Sequence, residues 1–107
     1  MAYTRAQFIT KIAPMAQEDM EKTGILASLT IAQACLESAN GNSSLTVECN
    51  NLFGIKGEYH GASRIYRTAE YNGDGTRYYI DAAFRKYPSW AESIADHSAL
   101  FNRLSRY

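Results

Sequence analysis

One helical stretch near the middle of the chain constrains the fold most, because it is apolar on almost every side. Its apolar positions are Leu26, Leu29, Ile31, Ala32, Ala34, Cys35 and Leu36. A helix with so little polar surface is normally a buried one. We therefore predict a central, buried helix that begins at Ser28 or one turn earlier. It should end near Ser38, because Asn40-Gly41 stops it.

Two polar residues, Gln33 and Glu37, lie four positions apart and so share one face of this helix. A carboxylate in a protein core is costly unless it is paired with a cation, or unless its pKa rises and it becomes neutral. No Arg or Lys occurs from residue 23 to residue 55. Glu37 is therefore either a structural carboxylate paired with a distant cation, such as Arg64 or Arg85, or a carboxylic acid at the edge of a cleft, whose dry, partly buried surroundings raise its pKa and keep it protonated.

The first part of the chain has the pattern of two helices separated by a proline. Thr4 is a suitable N-cap for a helix over Arg5–Ala13. Pro14 should end or kink that helix and begin a second one over Pro14–Lys22, which Thr23-Gly24 ends. The residues expected to face inward are Phe8, Ile9, Ile12, Met15 and Met20.

The second half changes from a helical period to a period of two. After a short serine-capped helix over 43–48 and a loop over 50–57, two alternating runs flank Asn72-Gly73-Asp74-Gly75, which is a strong hairpin signal. A last helix should cover Trp90–Arg103, with Ile94, Leu100, Phe101 and Leu104 inward. Helices, a hairpin and a final helix predict an α+β fold in a single domain over residues 1–107.

Composition excludes several classes of function. The eleven basic and eleven acidic residues cancel, which removes the electrostatic case for nucleic-acid binding. No apolar run approaches the length of a membrane span, and no apolar segment of a secretory signal is visible at the N-terminus. Cys35 and Cys49 make no zinc pattern with the two histidines, so we predict no metal and no cofactor. Two free thiols are favoured, although a disulfide remains possible in an exported protein.

Glu70 is a second candidate for chemistry, near the tip of the hairpin. On a two-stranded flap it could face Glu37 across a cleft, and glycoside hydrolysis uses two such carboxyl groups. The alternative is a solvated charge on an edge strand. Five of the eight tyrosines fall within residues 59–79, where Tyr66 and Tyr71 could stack on sugar rings or simply suit a pleated surface. His97 is expected to be an ordinary residue of the last helix, without a role in chemistry.

Several motifs, in one order, carry a resemblance to a known family. They are GILASLTIAQACLES, SSL, NNLFGIKG, TAEY, AAFRKYPSWAESIADHSALF and SRY, and the resemblance as a whole extends from Phe8 to Tyr107. The chain resembles the bacterial β-N-acetylglucosaminidases of glycoside hydrolase family 73. These include autolysins, phage endolysins and the flagellar peptidoglycan hydrolase.

The resemblance implies a lysozyme-like α+β fold, in which a helical lobe and a small β-hairpin lobe flank a cleft. It also implies cleavage of the β-1,4 bond between N-acetylglucosamine and N-acetylmuramic acid in peptidoglycan. Glu37 corresponds to the catalytic acid of the family, and Glu70 to its proposed second carboxylate. The residues expected to bind substrate are Gln33, Asn51, Phe53, Lys56, Tyr66, Tyr71 and Tyr87.

The chain departs from the family pattern in two places. Ala39-Asn40 stand where the family usually has Gly-Trp, and the usual C-terminal part with a Gly-Tyr-Ala-Thr-Asp motif is expected to be missing. A muramidase or lytic transglycosylase on the same fold, or a non-catalytic wall-binding module, therefore remain alternatives. Glu70 could either activate water or stabilise the positive charge at the anomeric centre. In a third alternative the N-acetyl oxygen of the substrate attacks, and no second carboxylate is needed. We expect a monomer that acts on glycan strands outside the cell or in the wall.

Overall fold

Four helices and one β-hairpin follow each other along residues 2–104, the part of the chain that the computed structural model describes. The elements are α1 (Arg5–Thr23), α2 (Ala27–Glu37), α3 (Ser44–Cys49), β1 (Ser63–Tyr71), β2 (Arg77–Arg85) and α4 (Trp90–Leu104). The α+β class predicted from the sequence is confirmed. The Ser-Arg-Tyr motif at 105–107 lies outside the described residues.

The N-terminal segment is one helix, so the prediction that Pro14 separates two helices is wrong. The Thr4 cap is confirmed, because Gln7 N donates to Thr4 Oγ1 and Thr4 N donates to Gln7 Oε1. Proline removes one backbone donor and crowds the carbonyl four residues earlier. Pro14 and Thr10 are both exposed, so the missing hydrogen bond falls on the solvent side, where water can hydrate the free carbonyl.

The core lies between α1, α2, α4 and the loop that follows α3. Phe8 and Ile12 of α1 pack there with Leu52 of the loop and Ile94 of α4, and each of the four is almost completely buried. Trp90 packs on the edge of this cluster, with its ring 5.4 Å from that of Phe8. Burial of such aromatic and aliphatic side chains is the main source of stability in a domain of this size.

Only one face of α2 is covered in the described part of the chain, so the prediction of a helix buried on all sides is wrong. Its fully buried residues, Ala27, Thr30 and Ala34, form a single stripe. Leu36 is 79 % exposed, and Leu29 on the same side is 36 % exposed. On α4 the predicted inward residues Phe101 and Leu104 are also exposed, because the contact of the helix end with α1, from Asn102 to Thr23 O, lies on another side of the helix.

The hairpin is confirmed with its predicted turn. Strands β1 and β2 pair antiparallel from Ser63 opposite Arg85 to Tyr71 opposite Arg77. The loop before β1 extends this sheet at its base, because Gly57 N donates to Ala83 O and Arg85 N donates to Ile55 O. All residues from 71 to 80 are exposed, so the hairpin is anchored at its base and its tip projects into solvent.

Within residues 2–104, no helix combines the length and the apolar character needed to cross a bilayer.

Candidate active site

A small groove opens at the C-terminal end of α2, and we call it the Glu37 groove. Its volume is about 210 Å³, and it is lined by residues from three parts of the chain, namely Gln33, Glu37, Phe53, Ile55 and His97. Helix α2 supplies the first two, the loop after α3 supplies the next two, and α4 supplies the histidine. The groove therefore brings together Gln33, Glu37 and Phe53 of the residues predicted from the sequence.

Glu37 is the last residue of α2, and its side chain is exposed. The prediction of a dry environment around this carboxylate is therefore wrong, because the buried stripe of the helix passes from Ala34 to Ser38 and leaves Glu37 outside it. Among the described residues, no hydrogen bond or ion pair engages the Glu37 carboxylate. A carboxylate that lines a groove without a protein partner is available to a ligand.

The cations that could have paired with Glu37 are used elsewhere. Arg64 Nη1 lies 3.0 Å from Glu48 Oε2, and Arg85 Nη1 donates to Asp96 Oδ2 at 2.9 Å. The alternative that Arg64 or Arg85 holds Glu37 as a structural carboxylate is therefore wrong.

The turn after Glu37 fixes the place where α2 ends. Ser38 is fully buried, and its hydroxyl donates to Ala34 O and accepts from Gly41 N at 2.8 Å. Ala39, Asn40 and Gly41 follow with φ values of 52°, 57° and 82°, all in the left-handed region. This tight reversal ends the helix directly after Glu37, so Glu37 is its last residue.

Two of the residues that line the groove form a stacked pair of rings. The rings of Phe53 and His97 lie 3.9 Å apart with an interplanar angle of 15°. Burial lowers the pKa of the His97 imidazole below its ordinary value of 6.5, against the opposing influence of Asp19 and Asp96. Sequence reasoning missed His97, because only the fold brings α4 against the loop that carries Phe53.

Glu70 lies on β1 and is not among the residues that line the Glu37 groove. Its carboxylate is held by Lys56, whose Nζ lies 3.2 Å from Glu70 Oε1, and Thr68 Oγ1 is 3.5 Å from the same oxygen. The ammonium of Lys56 also lies 6.0 Å from the ring centre of Phe84. Lys56 and Glu70 thus form one ion pair between the loop and the hairpin, and both are partly exposed.

Asn51 and Tyr87 are buried residues that support the loop and the base of the hairpin. Asn51 Nδ2 donates to Ile55 O and Arg85 O, and its Oδ1 accepts from Ile55 N. Tyr87 is only 2 % exposed, and its hydroxyl donates to Asp96 Oδ2 at 2.6 Å. Burial, followed by the contact with Asp96, raises the pKa of Tyr87 far above its usual range.

The two remaining tyrosines of the predicted site lie on β1. Tyr66 donates to Glu48 Oε1 at 2.9 Å and lies 3.5 Å from Cys49 Sγ, and burial together with these contacts raises its pKa. Tyr71 is 64 % exposed at the far end of the strand. Neither tyrosine lines the Glu37 groove.

Residues 2–104 contain no group of three or more His, Cys, Asp or Glu side chains arranged to hold a metal ion. Cys35 and Cys49 are free thiols, and Cys49 is buried.

Comparison with models of known protein families shows the family to which the chain belongs. A family model of the glucosaminidases, described as mannosyl-glycoprotein endo-beta-N-acetylglucosaminidase, matches residues 13–107. The chain belongs to the glucosaminidase family. The family predicted from the motifs is therefore confirmed.

Two curated relatives of this glucosaminidase domain are longer proteins, which the chain matches over only part of their length. The exo-glucosaminidase LytG of Bacillus subtilis is 48 % identical over 96 residues, which cover 90 % of this chain and 34 % of the relative. The autolysin of Enterococcus faecalis is 40 % identical over 101 residues, which cover 94 % of this chain and 14 % of the relative. The chain thus spans about a third of the first protein and a seventh of the second.

Two solved structures have the same fold. The catalytic domain of the autolysin Auto from Listeria monocytogenes superimposes with a TM-score of 0.83 at 41 % identity, covering 92 % of this chain and 58 % of that one. A C-terminally truncated glycoside hydrolase domain of FlgJ from Salmonella typhimurium gives 0.75 at 32 % identity, covering 97 % and 72 %. The glucosaminidase chain described here therefore has the predicted lysozyme-like architecture of a helical lobe and a hairpin lobe.

Proposed function

We propose that this glucosaminidase domain hydrolyses peptidoglycan, cleaving the β-1,4 bond between N-acetylglucosamine and N-acetylmuramic acid with Glu37 as the general acid. The observation that carries the proposal is the Glu37 groove, which a carboxylate without a protein partner and a stacked pair of rings line together. Relatives named as an autolysin and as FlgJ peptidoglycan hydrolases support the substrate class. This activity places the protein outside the cell or in the cell wall.

In this mechanism Glu37 donates its proton to the glycosidic oxygen of the leaving sugar. This transfer requires the glycosidic oxygen to lie within hydrogen-bond distance of the Glu37 carboxyl group, at the Glu37 groove. The ring pair of Phe53 and His97 contributes apolar surface to the groove that a pyranose ring would enter, while Gln33 contributes an amide for its polar substituents. A sugar in this position displaces water from around the carboxylate, which strengthens the electrostatic interactions at the reacting bond.

We propose Glu70 as the second carboxylate, which either activates water or stabilises the positive charge that develops at the anomeric carbon. Lys56 holds Glu70 between the loop and the hairpin, so Glu70 reaches the sugar only if this ion pair rearranges. The ion pair is partly exposed, and such pairs contribute little to stability. Its rearrangement on substrate binding therefore costs little free energy.

The proposal is tested by Glu37→Gln, with Glu21→Gln as the matched control on the exposed surface of α1. Glu37→Gln should lower the release of reducing ends from purified cell walls by about 10²- to 10⁴-fold, the usual contribution of a general acid. Its circular dichroism spectrum and melting temperature should stay unchanged, and Glu21→Gln should keep its activity. Retention of most activity by Glu37→Gln would show that another residue supplies the proton.

The bond that is cleaved is identified by mass spectrometry of the fragments. Reducing N-acetylglucosamine ends are expected, whereas reducing or anhydro N-acetylmuramic ends would indicate a muramidase or a lytic transglycosylase. Glu70→Gln should lower activity less than Glu37→Gln, and wild-type rates would show that Glu70 has no role. Binding to insoluble walls without any release of fragments would indicate a non-catalytic wall-binding module.

A further inference from the structure

Two of the residues that line the Glu37 groove carry polar atoms without a partner. Four buried side-chain nitrogen or oxygen atoms within residues 2–104 have no hydrogen-bond partner, and two of them are His97 Nδ1 and Gln33 Oε1. Buried polar groups are satisfied in the great majority of cases, so such exceptions require an explanation. Two of the four therefore belong to residues that line the Glu37 groove, where side chains with polar atoms lie beside Glu37.

His97 is the more informative of the two, because its ring position is fixed. The ring lies flat against Phe53 at 3.9 Å and closer to edge-on against Phe101 at 6.4 Å. Neither ring nitrogen of His97 hydrogen bonds to a described residue, and Nδ1 is buried. Nε2 is therefore the nitrogen that is available to a molecule in the groove.

The charge state of the ring suits an uncharged ligand. The charged groups near the imidazole are Asp19 on α1, Asp96 on α4 and, across the groove, Glu37 on α2. Asp19 and Asp96 favour the imidazolium, but burial outweighs them and lowers the pKa, so the ring is neutral at neutral pH. A neutral imidazole carries one donor and one acceptor, which matches hydroxyl and acetamido groups.

We propose that His97 is a substrate-binding residue, which hydrogen bonds through Nε2 to a hydroxyl or acetamido group of the sugar bound beside Glu37. This inference rests on the proposed function, because it takes the ligand of the groove to be an N-acetylated sugar. Stacking on Phe53 alone does not require an imidazole, since a phenyl ring would stack equally well and would not bury Nδ1 without a partner.

The test uses His97→Phe, which keeps the aromatic ring, and His97→Gln, whose amide lies close to the position of Nε2. With a soluble glycan oligomer of alternating N-acetylglucosamine and N-acetylmuramic acid as substrate, His97→Phe should raise KM about three- to tenfold with kcat within about twofold, as loss of one neutral hydrogen bond to bound substrate predicts. His97→Gln should restore much of the lost affinity. A wild-type KM in the Phe variant, or a KM in the Gln variant as high as in the Phe variant, overturns the inference.

A binding measurement separates this inference from the proposed reaction. The oligomer is titrated into the inactive Glu37→Gln variant while the imidazole C–H resonances are followed by NMR. The chain has two histidines, so His97→Phe assigns the signals, and the exposed His60 serves as the internal control. A shift confined to His97 supports the inference, and bound oligomer without such a shift overturns it.

The two proposals then fail in different ways. If the wild-type protein binds the oligomer with a shift of His97 but releases no reducing ends, the proposed reaction is wrong and the binding role of His97 stands. If the wild-type protein hydrolyses the oligomer and His97→Phe keeps the wild-type KM, the reaction stands and the role of His97 is wrong. No binding and no hydrolysis by the wild-type protein overturns both.

Discussion

The turn that follows Glu37 depends on Gly41, and its replacement by alanine gives a sharp test of the structure. Gly41 has a φ of 82° and is buried. A Cβ added there would lie 2.7 and 2.8 Å from two ring carbons of Phe8 and 3.3 Å from Trp90. Both neighbours are large rings of the core or its edge, so neither can move aside without disturbing the packing around α1 and α4.

The loss in the free energy of unfolding that we expect for Gly41→Ala has two parts. The left-handed backbone costs an L-residue about 1–2 kcal/mol. Overpacking of a well-filled core costs a further ~1–3 kcal/mol. The total of about 2–5 kcal/mol is a large fraction of the roughly 5–15 kcal/mol by which a typical domain is stable. The variant should therefore unfold at a much lower urea concentration than the wild-type protein.

Gly24→Ala is the matched control for this experiment. Gly24 has nearly the same φ, 79°, and no atom lies within 4 Å of the added Cβ. It should lose only the backbone part, about 1–2 kcal/mol. The free energy of unfolding of both variants is measured by urea denaturation followed by circular dichroism. Equal losses in the two variants would refute the packing of Phe8 and Trp90 on Gly41.

Three further predictions follow from neighbouring parts of the structure. Ala39 has a φ of 52°, so Ala39→Gly should stabilise the protein by up to about 1 kcal/mol in urea denaturation, and a loss of stability would contradict this geometry. Tyr87→Phe removes the 2.6 Å hydrogen bond to Asp96 and should cost about 1.5–3 kcal/mol, whereas a change within experimental error would show that the bond contributes nothing. Folding lowers the pKa of His97, so the imidazole binds a proton more tightly in the unfolded chain than in the folded protein. The wild-type protein should therefore lose stability relative to His97→Phe as pH falls below 6.5. A difference between the two proteins that does not change with pH would contradict the burial of the ring.

Local patterns were enough to predict most of the secondary structure. The hairpin follows from two alternating runs around Asn-Gly and Asp-Gly, and the Ser43 cap of α3 is confirmed by the hydrogen bond from Thr46 N to Ser43 Oγ. The error at Pro14 arose because a proline does not end a helix whose freed carbonyl faces water and whose other side is held by Phe8 and Ile12 in the core.

The candidate site could be predicted only in part, because some of its contacts join residues that are far apart in the sequence. The absence of local cations pointed to Glu37, and the structure brings neither Arg64 nor Arg85 to it. The stack of His97 on Phe53 joins α4 to a loop far away in sequence, and no local pattern encodes such a contact. The burial of α2 was overestimated for a related reason, since apolar composition indicates which residues can be buried but not which neighbours cover them.

The exposure of Glu37 changes the physical account of the proposed acid. The sequence suggested a carboxyl group kept dry by the protein, whereas the structure places it at the mouth of an open groove. In the proposed mechanism the substrate itself must then exclude water from the Glu37 carboxyl group, because its ring enters the groove beside Phe53 and His97. Water leaves the carboxylate only when the sugar that needs the proton is in place. The proposed acid is therefore coupled to substrate binding, to which the proposed Nε2 contact of His97 would contribute.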